Sequence, residues 1–178
     1  MRFFLSIFFV ALYSVVYAQV YAPDDVTSKV SFRIKNFGST VDGRFKGLKG
    51  NISFDASNLS NTLFDVTINA ATIDTGIGMR DNHLRKPDYF GVANFPTIRF
   101  VSTKVEKSVK ASEAIVTGKL TIKKTTKEIS FPFRYSEAGS VLQLTGEFKI
   151  NRRDFDVGGN SISLADELIV VLVVRASR

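Results

Sequence analysis

Beyond residue 28 the chain alternates apolar and polar positions with a period of two, the mark of strands that keep one face dry and the other wet. Val30, Phe32 and Ile34 alternate with Ser31, Arg33 and Lys35, and Phe64, Val66, Ile68 and Ala70 with Asp65, Thr67 and Asn69. The pattern returns in Ile98 and Phe100, in Val116, Gly118, Leu120 and Ile122, in Ile129, Phe131, Phe133 and Tyr135, and in Leu142, Leu144, Gly146, Phe148 and Ile150. It predicts eight strands, over 29–36, 41–54, 63–74, 97–105, 113–123, 128–135, 141–151 and 167–176. Turn-forming residues at 36–39, 55–61 and 136–140 separate several of them. Links this short join antiparallel neighbours. The run 168–174 is apolar on both faces, so its outer side should be covered by the N-terminal segment or by the one long connection.

Between residues 41 and 54 the apolar parity switches, from odd positions at Val41 and Phe45 to even ones at Leu48, Ile52 and Phe54, with Gly47 at the change. One inserted residue that reverses the facing is a β-bulge, and glycine there permits the bend that closing a sheet needs. Eight such strands can form a sandwich or a barrel. Their length, and glycines at 47, 50, 118 and 146 inside strand-like runs, favour an all-β, eight-stranded antiparallel barrel. Its one long connection, 75–96, should be partly helical over 79–86, with Pro87 ending the helix. The inward stripe would comprise Phe32, Ile34, Phe54, Val66, Ile68, Phe100, Leu120, Ile122, Phe131, Phe133, Leu144 and Phe148. At this strand count the interior either fills with side chains or holds one small ligand.

The first residues differ in kind. Met1 and Arg2 precede an uncharged stretch from 3 to 16 and the small-residue step Val16, Tyr17, Ala18. These are the parts of a secretory signal peptide, expected to be removed after Ala18, although a stretch extended to Ala22 would also serve as an uncleaved anchor. Cleavage leaves one domain, 19–178, in the periplasm or outside the cell. The chain has no cysteine, which excludes disulfides, a thiolate nucleophile and a lipid-bearing cysteine. A formal charge of +7 suits anionic membrane surfaces or head groups better than nucleic acid in an exported protein, and equally suits lysines that merely solvate the outer face.

The long connection carries a distinctive order of residues: Thr75, Gly76, then Arg80, Asp81, His83, Leu84, then Asp88, Tyr89, Phe90, and Phe95, Pro96, Ile98, Phe100. With Ser31, Phe32 through Gly43, Phe45, Gly47, with Val116, Gly118, Leu120, Thr121, Ile122, and with Asn151, Arg152, Asp154, Phe155, it closely resembles the YceI-like family of small exported lipocalin-like barrels. Gly91, Lys124 and Asp156 depart from the family pattern at turns. The resemblance implies a non-enzymatic protein whose apolar stripe holds a long-chain lipid, such as a polyprenol, an isoprenoid quinone or a fatty-acid derivative, for transport or storage. No cofactor is expected; the basic charge predicts a transient membrane-surface contact, and a homodimer is a further expectation. The rival from another class is an interaction or stress protein whose barrel is filled by its own side chains and whose basic face binds a partner.

Little in the sequence suggests catalysis. His83 is the sole histidine and shares its segment with Arg80, Asp81 and Asp88, but no nucleophile elbow or recognisable partner accompanies it. Arg80, Asp81 and His83 would brace the long connection against the rim or meet a lipid head group. One histidine and no thiol argue against a zinc site, which wants three or four convergent histidine, cysteine or carboxylate ligands, and a lone axial histidine for haem would show as colour. Arg152, Arg153 and Asp154 follow a strand end. There an arginine would either grip an anionic head group or form an arginine–aspartate clasp that fixes the loop at Gly158 and Gly159. Lys123, Lys124 and Lys127 make a basic hairpin tip, a membrane contact or simply a soluble turn.

Overall fold

A computed structural model describes residues 19–178, so the expected signal segment, 1–18, lies outside the described residues. The alternating runs form β2 (Lys29–Asn36), β3 (Ser39–Phe54), β4 (Leu63–Asp74), β5 (Thr97–Lys107), β6 (Glu113–Ile122), β7 (Thr125–Ala138), β8 (Val141–Asn151) and β9 (Leu164–Ser177). All pairings are antiparallel, in the order β3, β2, β9, β8, β7, β6, β5, β4, and β4 returns to β3 to close the barrel. The long connection contains α1 (Gly78–Leu84), and Pro87 follows it within three residues.

A ninth strand, β1 (Gln19–Pro23), was not foreseen, because five residues that include a proline show no readable alternation. It pairs with Ile52–Phe54 of β3 and, at Ala22 and Pro23, with Ser177 and Ala176 of β9. β2 meets the same two neighbours at 39–45 and 164–173. β1 and β2 therefore occupy a single strand position in tandem, which is how nine strands make an eight-position barrel. Between them, Asp25 accepts the Leu48 amide proton at 2.7 Å and the Asp24 amide donates to the Arg175 carbonyl at 2.8 Å.

The parity switch in β3 is an irregularity in its ladder with β4, between Lys46 and Lys49. Gly47 lies inside it at φ +76°, and a Cβ there would stand 2.9 Å from the Cβ of Asn69. Glycine also makes room for a ring across β5 and β6: a Cβ on Gly118 would meet the Phe100 ring at 2.6 Å.

The cover expected over β9 takes another form. Ile169, Val171 and Val173 alternate with the inward Leu168, Val170, Leu172 and Val174, and they are half-buried. Arg33 and Glu147, on the strands either side, sit level with Ile169 and Val171 and form an ion pair at 2.9 Å. Their aliphatic stems shield the apolar row while their charged ends stay wet. β1 does not lie over this face because its backbone groups find partners in the gap beyond β2.

The barrel is filled unevenly. Its far half, under the β3–β4, β5–β6 and β7–β8 turns, is packed with Tyr21, Ile52, Phe54, Phe64, Phe133 and Leu142. Tyr21 seals that end: its hydroxyl donates to Glu137, and the Arg178 guanidinium lies 5.3 Å from its ring centroid. Burial, and then the bond to Glu137, push the Tyr21 pKa up. The near half, under the β2–β3 turn and the β4–β5 and β8–β9 connections, is hollow.

Candidate ligand cavity and its rim

The hollow is a cavity of about 240 Å³ walled mainly by inward side chains of the strands. Of the stripe expected from the sequence, Phe32, Ile34, Val66, Ile68, Phe100, Leu120, Ile122, Phe131 and Phe148 line it. Phe133 and Leu144 line a second cavity of about 80 Å³ deeper in the barrel, and Phe54 lines neither, packing instead against Tyr135 at 5.1 Å between centroids. The two cavities share walls at Leu48, Val66, Phe100, Phe131, Leu172 and Val174. Phe131 stacks on Phe148 at 4.1 Å and tilts against Phe100 at 5.7 Å. This aromatic group narrows the barrel between the chambers.

Part of the lining had no signal in the alternation. Tyr89 and Phe90 come from the long connection and Phe155 and Val157 from the β8–β9 connection, and together they cover one side of the barrel end. Three links hold that side shut. Arg85 donates from Nε to the Ala71 carbonyl at 2.8 Å and from Nη2 to that of Ile73 at 2.9 Å. Lys123 Nζ donates to the carbonyls of Pro87 and Asp156, at 3.0 and 2.8 Å. The Gly158 amide donates to the Asp88 carbonyl at 2.8 Å. Lys123 is thus a latch inside the molecule, whereas Lys124 and Lys127 are exposed.

On the other side the cavity runs out to Asn36, Thr75, Arg80 and Leu164. Asp81 is buried and accepts from the Thr75 amide at 2.9 Å and from its hydroxyl, shaping the start of the connection. Arg80 donates from Nε to the Thr75 hydroxyl at 2.7 Å and from Nη2 to the Thr75 carbonyl at 2.8 Å. His83 is exposed, outside the lining, with its ring edge-on to Tyr89 at 5.0 Å. The three residues do not converge: Asp81 braces the loop, Arg80 reaches the cavity and His83 faces away. Among the described residues no group of three or more histidines or carboxylates is placed to hold a metal ion.

Arg152 is only 4 % exposed. Its Nε donates to the Ala165 carbonyl at 3.0 Å, its Nη1 to those of Val157 and Gly159 at 3.0 and 2.9 Å, and its Nη2 to the Leu164 carbonyl and to Asp166 at 2.7 Å. This is a clasp around the loop, but its acidic partner is Asp166, while Asp154 is exposed on the turn Arg152–Phe155. Arg153 bonds to Asn160. The sequence pointed past Asn36, yet its Oδ1 is a buried side-chain acceptor without a hydrogen-bond partner, on the wall of a largely apolar cavity.

Residues 21–176 match the family model of the YceI-like domain. The protein YceI of Salmonella arizonae is 32 % identical over 153 residues, which cover 82 % of this chain and 79 % of that one. In three dimensions the chain is similar to Burkholderia cenocepacia BcnA, with a TM-score of 0.83 and 27 % identity over 87 % of this chain and 99 % of that one. It also shares its fold with a polyisoprenoid binding domain from Saccharophagus degradans implicated in plant cell wall breakdown, at a TM-score of 0.71 and 15 % identity over 91 % and 99 % of the two chains.

Proposed function

The chain belongs to the YceI-like domain family, and from that premise we propose that it is an exported lipid-binding protein, holding a long isoprenoid or fatty-acid-like tail in its barrel for transport or storage without covalent chemistry. The cavity carries this reading: the near half of the barrel is hollow and walled almost wholly by apolar side chains. A barrel meant only to stand as a scaffold gains by filling such space, because unfilled volume forfeits packing energy. The resemblance to a polyisoprenoid binding domain supports a lipid as the occupant. Export, to the periplasm or beyond the cell, rests on the signal-like pattern of residues 1–18.

At about 0.8 kcal/mol per buried methylene, ten groups of a tail offer ~8 kcal/mol before ordering costs, the scale of micromolar binding. A volume of about 240 Å³ lies near the lower end of ligand pockets, roughly 300–1,000 Å³. A longer tail would therefore turn the Phe131–Phe148 pair aside and enter the deeper chamber. The head would lie at the rim, between the guanidinium of Arg80, which still has N–H donors to offer after its bonds to Thr75, and the unpartnered Oδ1 of Asn36. A hydroxyl satisfies both, accepting from one and donating to the other.

The test is organic extraction of the purified, denatured protein and mass spectrometry against an empty-vector control, together with uptake of added polyprenol. A lipid in near-stoichiometric amount is expected. An empty barrel that takes up neither polyprenol nor long-chain fatty acid would refute the reading.

A further inference from the structure

We propose that the end of the barrel where the cavity meets the surface is a docking face for an anionic lipid bilayer, seated through Phe37, Met79 and Ile162. The proposal rests on the lipid-carrying reading for the cargo such a face would pass, and on separate residues for the contact itself.

Phe37 breaks two rules at once. With Gly38 it forms the two-residue turn between the paired Asn36 and Ser39, at φ +48° and +75°. Such turns take asparagine, aspartate or glycine, because a bulky side chain at positive φ is strained. The ring gains nothing from the protein in return, being 85 % exposed. Backbone strain held for no internal contact points to an external one.

Phe37 has company. Its amide donates to the Ser163 carbonyl at 2.9 Å, which brings the fully exposed Ile162 next to the turn. Met79, also 85 % exposed, and the exposed Ile77 lie just before Arg80, which enters the cavity wall. Three separate connections around the cavity's end thus each present a large apolar side chain to solvent, level with the route a lipid would take.

Charge selects the partner. The connections at this end, 37–38, 75–96, 123–124 and 152–163, carry seven basic and four acidic side chains. Those at the opposite end, 55–62, 108–112 and 139–140, carry one basic and one acidic. Apolar side chains ringed by a net positive charge suit the interface of an anionic membrane. Val109 at the opposite end and Val26 on the link between β1 and β2 are also exposed, but they are smaller and stand away from the cavity. They supply the control.

The experiment is flotation of the full exported chain with vesicles of equal parts phosphatidylethanolamine and phosphatidylglycerol, run on the wild type, on Phe37→Asp/Met79→Asp/Ile162→Asp and on Val26→Asp/Val109→Asp. Polyprenol uptake, circular dichroism and sedimentation velocity are measured on each. Losing three apolar anchors should weaken vesicle binding at least about tenfold, while the control variant binds like the wild type and all three retain fold and polyprenol uptake. Added salt should weaken wild-type binding. The docking face is overturned if the wild type does not float, if the two variants lose binding equally, or if the triple variant instead turns a dimer into a monomer. Floating without polyprenol uptake would uphold the face and sink the carrier reading, so the two failures are distinct.

Discussion

Replacing Arg152 with methionine tests whether this residue holds the β8–β9 connection or serves a ligand. The guanidinium spends its N–H groups on four carbonyls and on Asp166. Methionine keeps most of the apolar stem and removes every donor. Asp166 is half exposed and can turn to water, so losing that ion pair costs little. The Val157 carbonyl is bonded in a buried setting and cannot be rehydrated easily, a loss of about 1–3 kcal/mol. The bonds to Gly159, Leu164 and Ala165 are partly buried and should cost roughly 1 kcal/mol each. The sum, about 4–6 kcal/mol, corresponds to a fall in Tm of roughly 10–20 °C for a domain of this size. Thermal unfolding followed by circular dichroism reads the shift, and polyprenol uptake well below the new Tm reads ligand affinity. Uptake should persist, because Arg152 has no N–H to spare for a head group. A variant that keeps its Tm within about 2 °C but no longer takes up ligand would refute the clasp and return Arg152 to the binding site.

Leu120→Trp places an indole in the main cavity, and displacing three or four methylene groups of a tail, ~2–3 kcal/mol, should weaken polyprenol uptake roughly 50-fold with the fold intact; unchanged uptake would place the ligand elsewhere. Phe37→Asn relieves a strained turn and should raise unfolding stability by about 0.5–1 kcal/mol in urea titration, whereas a loss would mean that Phe37 packs against the protein. Bonds from the Ser57 hydroxyl to Asp55, from the Arg99 guanidinium to Asp65 and from the Gly76 amide to Asp74 hold these carboxyls below the usual carboxylate range. Their stabilisation is complete above the unfolded value of about 3.9 and is lost as pH falls through the lower folded values. Stability should therefore decline on acidification below that value, and Asp65→Asn should flatten part of the decline. The raised Tyr21 pKa acts at the other extreme: its stabilisation is complete below the ordinary value of about 10 and lost as pH rises through the higher folded one, so Tyr21→Phe should extend stability into alkali.

What the sequence determined by itself is what period-two alternation can encode: the positions of β2 to β9, the antiparallel order of neighbours joined by short links, the bulge at Gly47 and the apolar inner stripe. The helix before Pro87 was legible for the same reason, since each of these features depends on residues close together in the chain. β1 was not, because its place is defined by a gap between β3 and β9 that exists only once the barrel has closed. Nor was the division into a packed far half and a hollow near half. Phe54 and Phe32 read alike in the alternation, yet one is packed against Tyr135 and the other lines the cavity, according to what meets each ring across the barrel. The partner of Arg152 proved to be Asp166, fourteen residues on, rather than Asp154, two residues on, because the loop between Arg152 and Asp166 folds back on the guanidinium. Alternation tells a side chain which face it is on; only the closed barrel decides how deep it sits and whether another atom fills the space in front of it.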